Sequence, residues 1–290
     1  MNQPSEYYRE LTWHSSNPFV GARLKLKRAK RHLLEVANAA QGIPSSRHYN
    51  FLLGPQPETG KAQIVCMTEN IMPMEFAATV GDVVHNLRSA FDYVAVALTT
   101  PPIGTGKAAD AYFPTGVDRQ EFIKARDGHV DSNGKRTSKA KMKGAPTDAL
   151  RLVEELEPYN GGKHSLRPLH DLDVLDKHKL IVPAISRMTV QRLEVIIGEK
   201  RLSLGMTDFK ANEDGTNLNA LIDHVISGPE QLQLGNDFHA TFEIVFAKGQ
   251  PLGGQPIVES LSDIANTCQR FIEACETHFL GENHPMKGVP

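Results

Sequence analysis

The sequence predicts an α+β fold: a helical bundle with an inserted β-hairpin and a C-terminal antiparallel sheet. Apolar residues recur every three or four positions in five long stretches, which is typical of amphipathic helices. After Pro183 the apolar residues instead alternate with polar ones, which is typical of strands. A chain of 290 residues that is 40% hydrophobic has enough apolar material for such a core.

Five helices are predicted from this spacing and from the residues at their ends. Asn17 and Pro18 supply a cap and a first-turn residue for the first helix. Thr99 and the two prolines after it end the second helix. The predicted helices cover residues 18–41, 76–99, 148–157, 166–180 and 256–279.

The predicted β structure lies in two parts of the chain. Two extended runs around a turn-rich segment predict a hairpin at about 49–67. Residues 184–255 are predicted to form the antiparallel sheet, with 238–246 as its clearest strand. Between the helices, 103–145 is polar with several glycines and lysines, which predicts a mobile loop.

The domain prediction is one compact unit in three parts. A helical region covers 1–183 with the hairpin inside it, and a β region covers 184–255. The helix in 256–280 is expected to pack back on the bundle, because its apolar positions form one face.

Bulk properties argue against several classes of protein. The net charge is −2 and the pI is about 6.6, so no overall basic field indicates binding to nucleic acid or membranes. Three cysteines without paired spacing predict free thiols and a reducing compartment. Without a leader-like N-terminus or a long apolar run, a cytoplasmic protein with no membrane partner is expected.

The helix predicted at 76–99 carries one polar stripe opposite its apolar face. His85, Arg88 and Asp92 follow each other at spacings of three and four, so they lie within reach of one another. Gly81 and Ala78 lie on the same face and would let another backbone approach closely. This stripe is the first candidate site.

The helix predicted at 166–180 carries the second candidate site. It places His170, Asp173 and Lys177 on one side. Asp176 falls on the apolar side, where a carboxylate needs a partner, so we expect it to meet Arg88 or an arginine of the first helix. The full set of candidate catalytic residues is His85, Arg88, Asp92, His170, Asp173, Asp176 and Lys177.

These residues allow three interpretations. They can form an internal ion network in a binding or interaction module, with an RNA or protein partner or a second copy of the chain. They can instead form a metal-independent RNase or phosphotransfer site, in which a histidine transfers protons and Arg88 and Lys177 stabilise phosphate charge. A divalent metal between His85, His170, His178 and Asp173 is the third. No cofactor is predicted, because phosphate-loop, serine-hydrolase and zinc-binding motifs are absent from the sequence.

Two motifs carry a resemblance to known proteins. GDVVHNLRSAFDYVAVAL (81–98) and LRPLHDLDVLDKHKL (166–180) resemble the paired "HNLRSALD" and "LHxLxxxDKH" helices of a family of uncharacterised bacterial proteins. These motifs cover about a tenth of the chain. The family has no established activity, so the resemblance implies relatives rather than a function.

A more distant resemblance is to the HEPN-type helical bundles, many of which are RNases or components of defence and toxin systems. Their signature is an arginine followed, after four to six residues, by a histidine near a helix end. Arg9 and His14 have this spacing, but they lie in the N-terminal arm. The resemblance implies a shared bundle fold and the RNase alternative. Of these functions, a binding or interaction module is the preferred prediction, and the RNase is the alternative.

Overall fold

A computed structural model of the chain describes residues 17–42, 50–55, 61–67, 74–197, 200–204, 207–211, 217–225, 230–231, 233–234 and 239–281. These residues form an α+β fold with a C-terminal antiparallel sheet, as the sequence predicts. Arg9 and His14 lie outside the described residues, and so do Leu232 and Phe238 of the predicted strands.

The α-helices of the described residues are α1 (Val20–Gly42), α2 (Met74–Thr99), α3 (Arg119–Asp127), α4 (Thr147–Glu155), α5 (Leu166–Asp176) and α6 (Ile257–Leu280). All five predicted helices are present. The largest difference is in α5, which ends at Asp176 instead of near 180. A turn closes it, because the amides of His178 and Lys179 both donate to the carbonyl of Leu175.

The strands of the described residues are β1 (Asn50–Pro55), β2 (Lys61–Met67), β3 (His129–Val130), β4 (Arg136–Ser138), β5 (Pro183–Ile197), β6 (Lys200–Leu204), β7 (Thr207–Ala211), β8 (Asn217–Val225), β9 (Glu230–Gln231), β10 (Gln233–Leu234) and β11 (His239–Phe246). The predicted hairpin is β1 paired antiparallel with β2. It belongs to the large sheet, because β2 also pairs with β8. The main strand order is β10-β5-β7-β8-β2-β1-β9, and β11 and β6 also pair with β5.

The prediction of a loop over 103–145 was wrong. This stretch contains α3, a 3-10 turn at Ala108–Asp110 and the small β3–β4 hairpin. The Asp118 side chain caps α3 by accepting the amide of Glu121 at 2.8 Å, and Phe122 is fully buried. Buried side chains such as Phe113, Phe122 and Met142, together with the cap and backbone hydrogen bonds, therefore fix a segment whose overall polarity indicates a loop.

The contacts within the chain group into two units. The first contains the described residues of 1–33, 80–180 and 259–290. The second contains those of 34–79 and 181–258. This grouping does not test the prediction of one compact unit in three parts, which stays a prediction.

Three aromatic rings anchor the core of the first unit. The ring centroids of Phe91 and Phe113 are 4.9 Å apart, and Phe271 lies 6.2 Å from the first and 6.0 Å from the second. An ion pair also connects α1 to α6, because Arg23 Nε donates to Glu276 Oε1 at 2.7 Å. The last helix therefore contacts both α1 and α2.

The second unit has its own apolar core beneath the sheet. The fully buried side chains there include Ile64, Cys66, Met188, Val190, Phe209 and Phe246. Cys66, Cys268 and Cys275 are all buried, and Cys268 and Cys275 are free thiols, as predicted from their number and spacing. Among the described helices, none is long and apolar enough to cross a membrane.

Replacing Phe91 with alanine removes the ring that contacts both other members of the aromatic cluster. We expect this variant to lose about 3–5 kcal/mol of unfolding free energy, measured by denaturant titration. Tyr112→Ala is the control, because that ring is exposed in the segment that carries Phe113. Equal losses in the two variants would contradict this description of the core.

Candidate functional site

The polar stripe of α2 is covered by protein along most of its length. Gly81, His85, Arg88 and Asp92 lie within a narrow wedge of the helix, as their spacing predicts. Gly81 and Arg88 are nonetheless buried, and His85 is exposed. The stripe therefore has a buried part and an accessible part.

The buried part of the stripe centres on Arg88. Its Nη2 donates to the backbone carbonyl of Phe113 at 2.9 Å and lies 3.0 Å from Asp92 Oδ1. The same Asp92 oxygen accepts the backbone amide of Phe113 at 2.9 Å. Arg88 and Asp92 thus bind both polar groups of one residue, which fixes the segment around 113 against α2.

Burial has the largest effect on the pKa values of both Arg88 and Asp92. It lowers the pKa of Arg88, while the charges of Asp92 and Asp173 raise it. Burial likewise raises the pKa of Asp92, and Arg88, the Phe113 amide and Lys141 oppose that shift. A buried cation depends strongly on the carboxylate that pairs with it, and for Arg88 that carboxylate is Asp92.

The accessible part of the stripe connects α2 to α5 through Asp173. His85 Nδ1 lies 3.1 Å from Asp173 Oδ1, and Lys177 Nζ donates to Asp173 Oδ2 at 2.6 Å. The Asp173 side chain is 5% exposed, whereas those of His85 and Lys177 are 51% and 55% exposed. A buried carboxylate therefore orients two groups that face the solvent.

Asp176 does not have the arginine partner that its position led us to expect. Arg88 pairs with Asp92, and Arg23 of α1 pairs with Glu276. Burial first, and then the charges of Asp173 and Asp82, raise the pKa of Asp176, while His85 opposes the shift. Its carboxylate approaches Gly81 so closely that an added Cβ would lie 2.4 Å from Oδ1. The predicted cation pair was wrong. A close approach does occur at Gly81, but a side chain makes it and not the backbone that we predicted.

His170 lies on α5 beside further cations. Its Nδ1 is buried and has no hydrogen-bond partner among the described residues. Burial and the charges of Arg88, Arg167 and Lys141 lower the pKa of His170 to about 4. His170 is therefore neutral at pH 7 and shares its surroundings with three cationic side chains.

The structure brings six of the seven predicted residues into two connected groups. His85, Asp173 and Lys177 share contacts, Arg88 and Asp92 form a pair, and His170 lies in the electrostatic field of Arg88. Asp176, the seventh, lies close to Asp173 and forms no ion pair with any residue that the structure describes. His178 is in the turn after α5 and is exposed, not on the helix as predicted.

The sequence did not single out Lys141, Arg167 or Phe113. Arg167 could have been found, because it pairs with Asp171 one helical turn later, at 2.9 and 3.0 Å. Lys141 and Phe113 lie within 103–145, the stretch that was predicted to be a loop, where no periodic pattern marks a buried or positioned residue.

The metal interpretation has no geometric support in the residues that the structure describes. No group of three or more His, Cys, Asp or Glu side chains there is arranged to hold a metal ion.

Comparisons of the chain with protein-family models, with curated proteins and with solved structures gave no match. The site must therefore be interpreted from its own contacts.

Asp176→Asn tests the unpartnered carboxylate through the pH dependence of stability. A pKa raised on folding means that the charged form disfavours the folded state at every pH above the folded pKa. We expect the variant to melt at a higher temperature than the native protein at pH 7. That advantage should shrink as the pH is lowered towards about 4, the range of an unfolded Asp.

The control is Asp263→Asn, which removes an exposed carboxylate from the middle of α6. It should change the melting temperature little at either pH. A loss of stability in Asp176→Asn at pH 7 would show that this carboxylate has a favourable partner after all.

Proposed function

We propose that this protein is a binding module that receives its partner at an accessible polar edge, formed by His85, Asp173 and Lys177. The observation that carries the proposal is the contrast in burial across the two contacts of Asp173. A buried carboxylate limits the motion of two exposed side chains, so less order is lost when they bind a partner.

The buried charges of Arg88 and Asp92 support this proposal because their contacts are structural. Arg88 and Asp92 are engaged with each other and with the backbone of Phe113. The two residues hold α2 in place next to the polar edge. Their charges are already paired inside the protein, so they contribute little to the binding of a partner. These contacts support the proposal of an internal His/Arg/Asp network that has one end exposed to the solvent.

A thermal-shift panel tests the binding edge. The panel contains a defined RNA oligonucleotide and an acidic peptide, since His85 and Lys177 are suited to an anionic partner. A ligand that binds the folded state raises its melting temperature by mass action. We expect His85→Ala and Lys177→Ala to lose that rise.

Lys179→Ala is the matched control, because Lys179 is an exposed lysine in the turn two residues beyond Lys177. It should retain the shift in melting temperature. Shifts of equal size in the native protein and in His85→Ala would contradict the proposed edge, and so would a panel without any shift.

A metal-independent RNase or phosphotransfer enzyme is the second candidate, and one contact favours it. When Nδ1 of His85 donates its proton to Asp173, the other ring nitrogen is left as an acceptor. The half-exposed ring could then take a proton from a hydroxyl nucleophile, with the Lys177 ammonium close by. The resemblance to HEPN-type bundles fits this candidate.

RNA cleavage in the presence of EDTA tests the second candidate. Loss of a general base should slow cleavage by about 10²–10⁴-fold in His85→Ala. Asp173→Asn should slow it as well, whereas His129→Ala should not, because His129 lies on the separate β3 strand and contacts Thr137. Cleavage that is equally fast in His85→Ala would come from a contaminant and would leave the binding module as the proposal.

A further inference from the structure

The first helix carries positive charge that the site on α2 and α5 does not use. Residues 20–34 of α1 contain six lysines and arginines and no aspartate or glutamate. The whole chain, by contrast, has 32 lysines and arginines against 34 aspartates and glutamates. The excess of positive charge is therefore local, and the pI of about 6.6 does not reveal it.

Three of these cations form one exposed face of the helix. Arg31 follows Lys27 by four positions and Arg28 by three, so the three side chains are neighbours on the helix surface. All three are exposed. The opposite side of the helix is buried at Ala22, Leu26 and Ala29. We call Lys27, Arg28 and Arg31 the basic face of α1.

The carboxylates of α6 that lie near α1 are engaged by other side chains. Arg23 donates to Glu276 through Nε at 2.7 Å. Gln269 Nε2 donates to Glu273 at 2.9 Å, and the carbonyl oxygen of Gln269 in turn accepts a hydrogen bond from Lys30. Among the residues that the structure describes, none forms a hydrogen bond or an ion pair with the side chains of the basic face.

This surface stays positive when its described carboxylates are counted. Apart from the ion pair between α1 and α6, these are Glu35, one turn after Arg31, and Glu273. Lys25 and Lys30 add two cations to the three of the basic face. Five cations against two carboxylates leave an excess of three positive charges on this part of the surface.

The spacing of the basic face matches a row of phosphates. Lys27 and Arg31 are one turn apart, which is about 6 Å along the helix axis. Each strand of a DNA duplex carries one phosphate in about every 3.4 Å of its axis. Long side chains on one turn of helix can therefore reach neighbouring phosphates of a strand at the same time.

We propose that the basic face of α1 binds the phosphodiester backbone of a nucleic acid. Lysines and arginines that cluster along one helix face are the electrostatic footprint of such binding. Each cation that meets a phosphate releases condensed counterions, which stabilises the complex without any contact to a base. The basic face shares no residue with the polar edge, so this inference goes beyond the proposed function and does not rest on it.

A nucleic-acid backbone suits the basic face better than a protein or a membrane does. Protein interfaces depend on apolar and aromatic anchors, and Leu24 is the one large apolar side chain that is exposed within residues 20–33. A helix that binds in a membrane interface inserts its apolar side into the lipid. In α1 that side is buried within the protein.

Fluorescence anisotropy with the full chain tests the inference. The probes are a single-stranded RNA and a duplex DNA, both of mixed sequence. We expect binding in the micromolar range at low salt and a steep loss of affinity as the salt concentration is raised. Binding of both probes would show that the backbone alone is recognised, and binding of one would assign the kind of strand.

The test variant combines Lys27→Gln, Arg28→Gln and Arg31→Gln. Glutamine is a good helix former and the three positions are exposed, so the melting temperature should stay close to that of the native protein. For single-stranded RNA, each lost phosphate contact should reduce the slope of log K against log salt by about 0.7. The triple variant should therefore lose about 2 from this slope and at least about tenfold in affinity at low salt, and Lys27→Gln alone should lose about 0.7.

The matched control combines Lys135→Gln, Arg136→Gln and Lys139→Gln. These three cations are also exposed, but they lie in and beside β4, and their removal changes the net charge by the same amount. The control should keep the affinity and the salt dependence of the native protein. Equal losses in the two triple variants would overturn the inference, because the probes would then respond to net charge alone.

Two other results would overturn the inference. One is the absence of binding to either probe at low salt, including the case in which the protein sediments with anionic phospholipid vesicles instead. The other is equal binding by the native protein and the triple variant of α1. Failure of the proposed function is a separate result, because it is measured at the polar edge with His85→Ala. A shift in melting temperature with RNA that persists in His85→Ala and is lost in the α1 variant would support the basic face and contradict the edge.

Discussion

The burial of Arg88 is the constraint on which the rest of the site depends. The Arg88 side chain is only 7% exposed, and its guanidinium needs fixed partners because it keeps its charge at any pH the protein meets. Asp92 and the carbonyl of Phe113 supply them. The backbone near 113 is thereby tied to α2, and with it the loop that carries Lys141 and the aromatic ring that completes the core.

This constraint divides one helical stripe between two tasks. Further along α2, Arg88 and Asp92 have a structural role, because they bind the backbone of Phe113. One turn earlier, His85 reaches the solvent and is held by Asp173 of α5. Both groups depend on the same packing of α2 against α5, which Gly81 permits by leaving room for the Asp176 carboxylate.

The sequence predicts the long helices and the charged stripe well, because both depend on local spacing. Gly81, His85, Arg88 and Asp92 share a face in any regular helix, so their grouping follows without tertiary information. The partners of these residues could not be predicted in the same way. Asp176 was expected to meet an arginine, but Arg88 had a nearer carboxylate one turn along its own helix. Lys141 is positioned by backbone bonds to Ala125 and Tyr112, which leave no periodic signal.

A double-mutant cycle between Arg88 and Asp92 tests the central claim that this pair anchors the site. Unfolding free energies of Arg88→Met, Asp92→Asn and the double variant give the coupling between the two side chains. The account predicts a favourable coupling of about 1.5–3 kcal/mol, as for a hydrogen bond between charged groups in a buried setting. A coupling below about 0.5 kcal/mol would contradict it, since Arg88 would then be satisfied without Asp92.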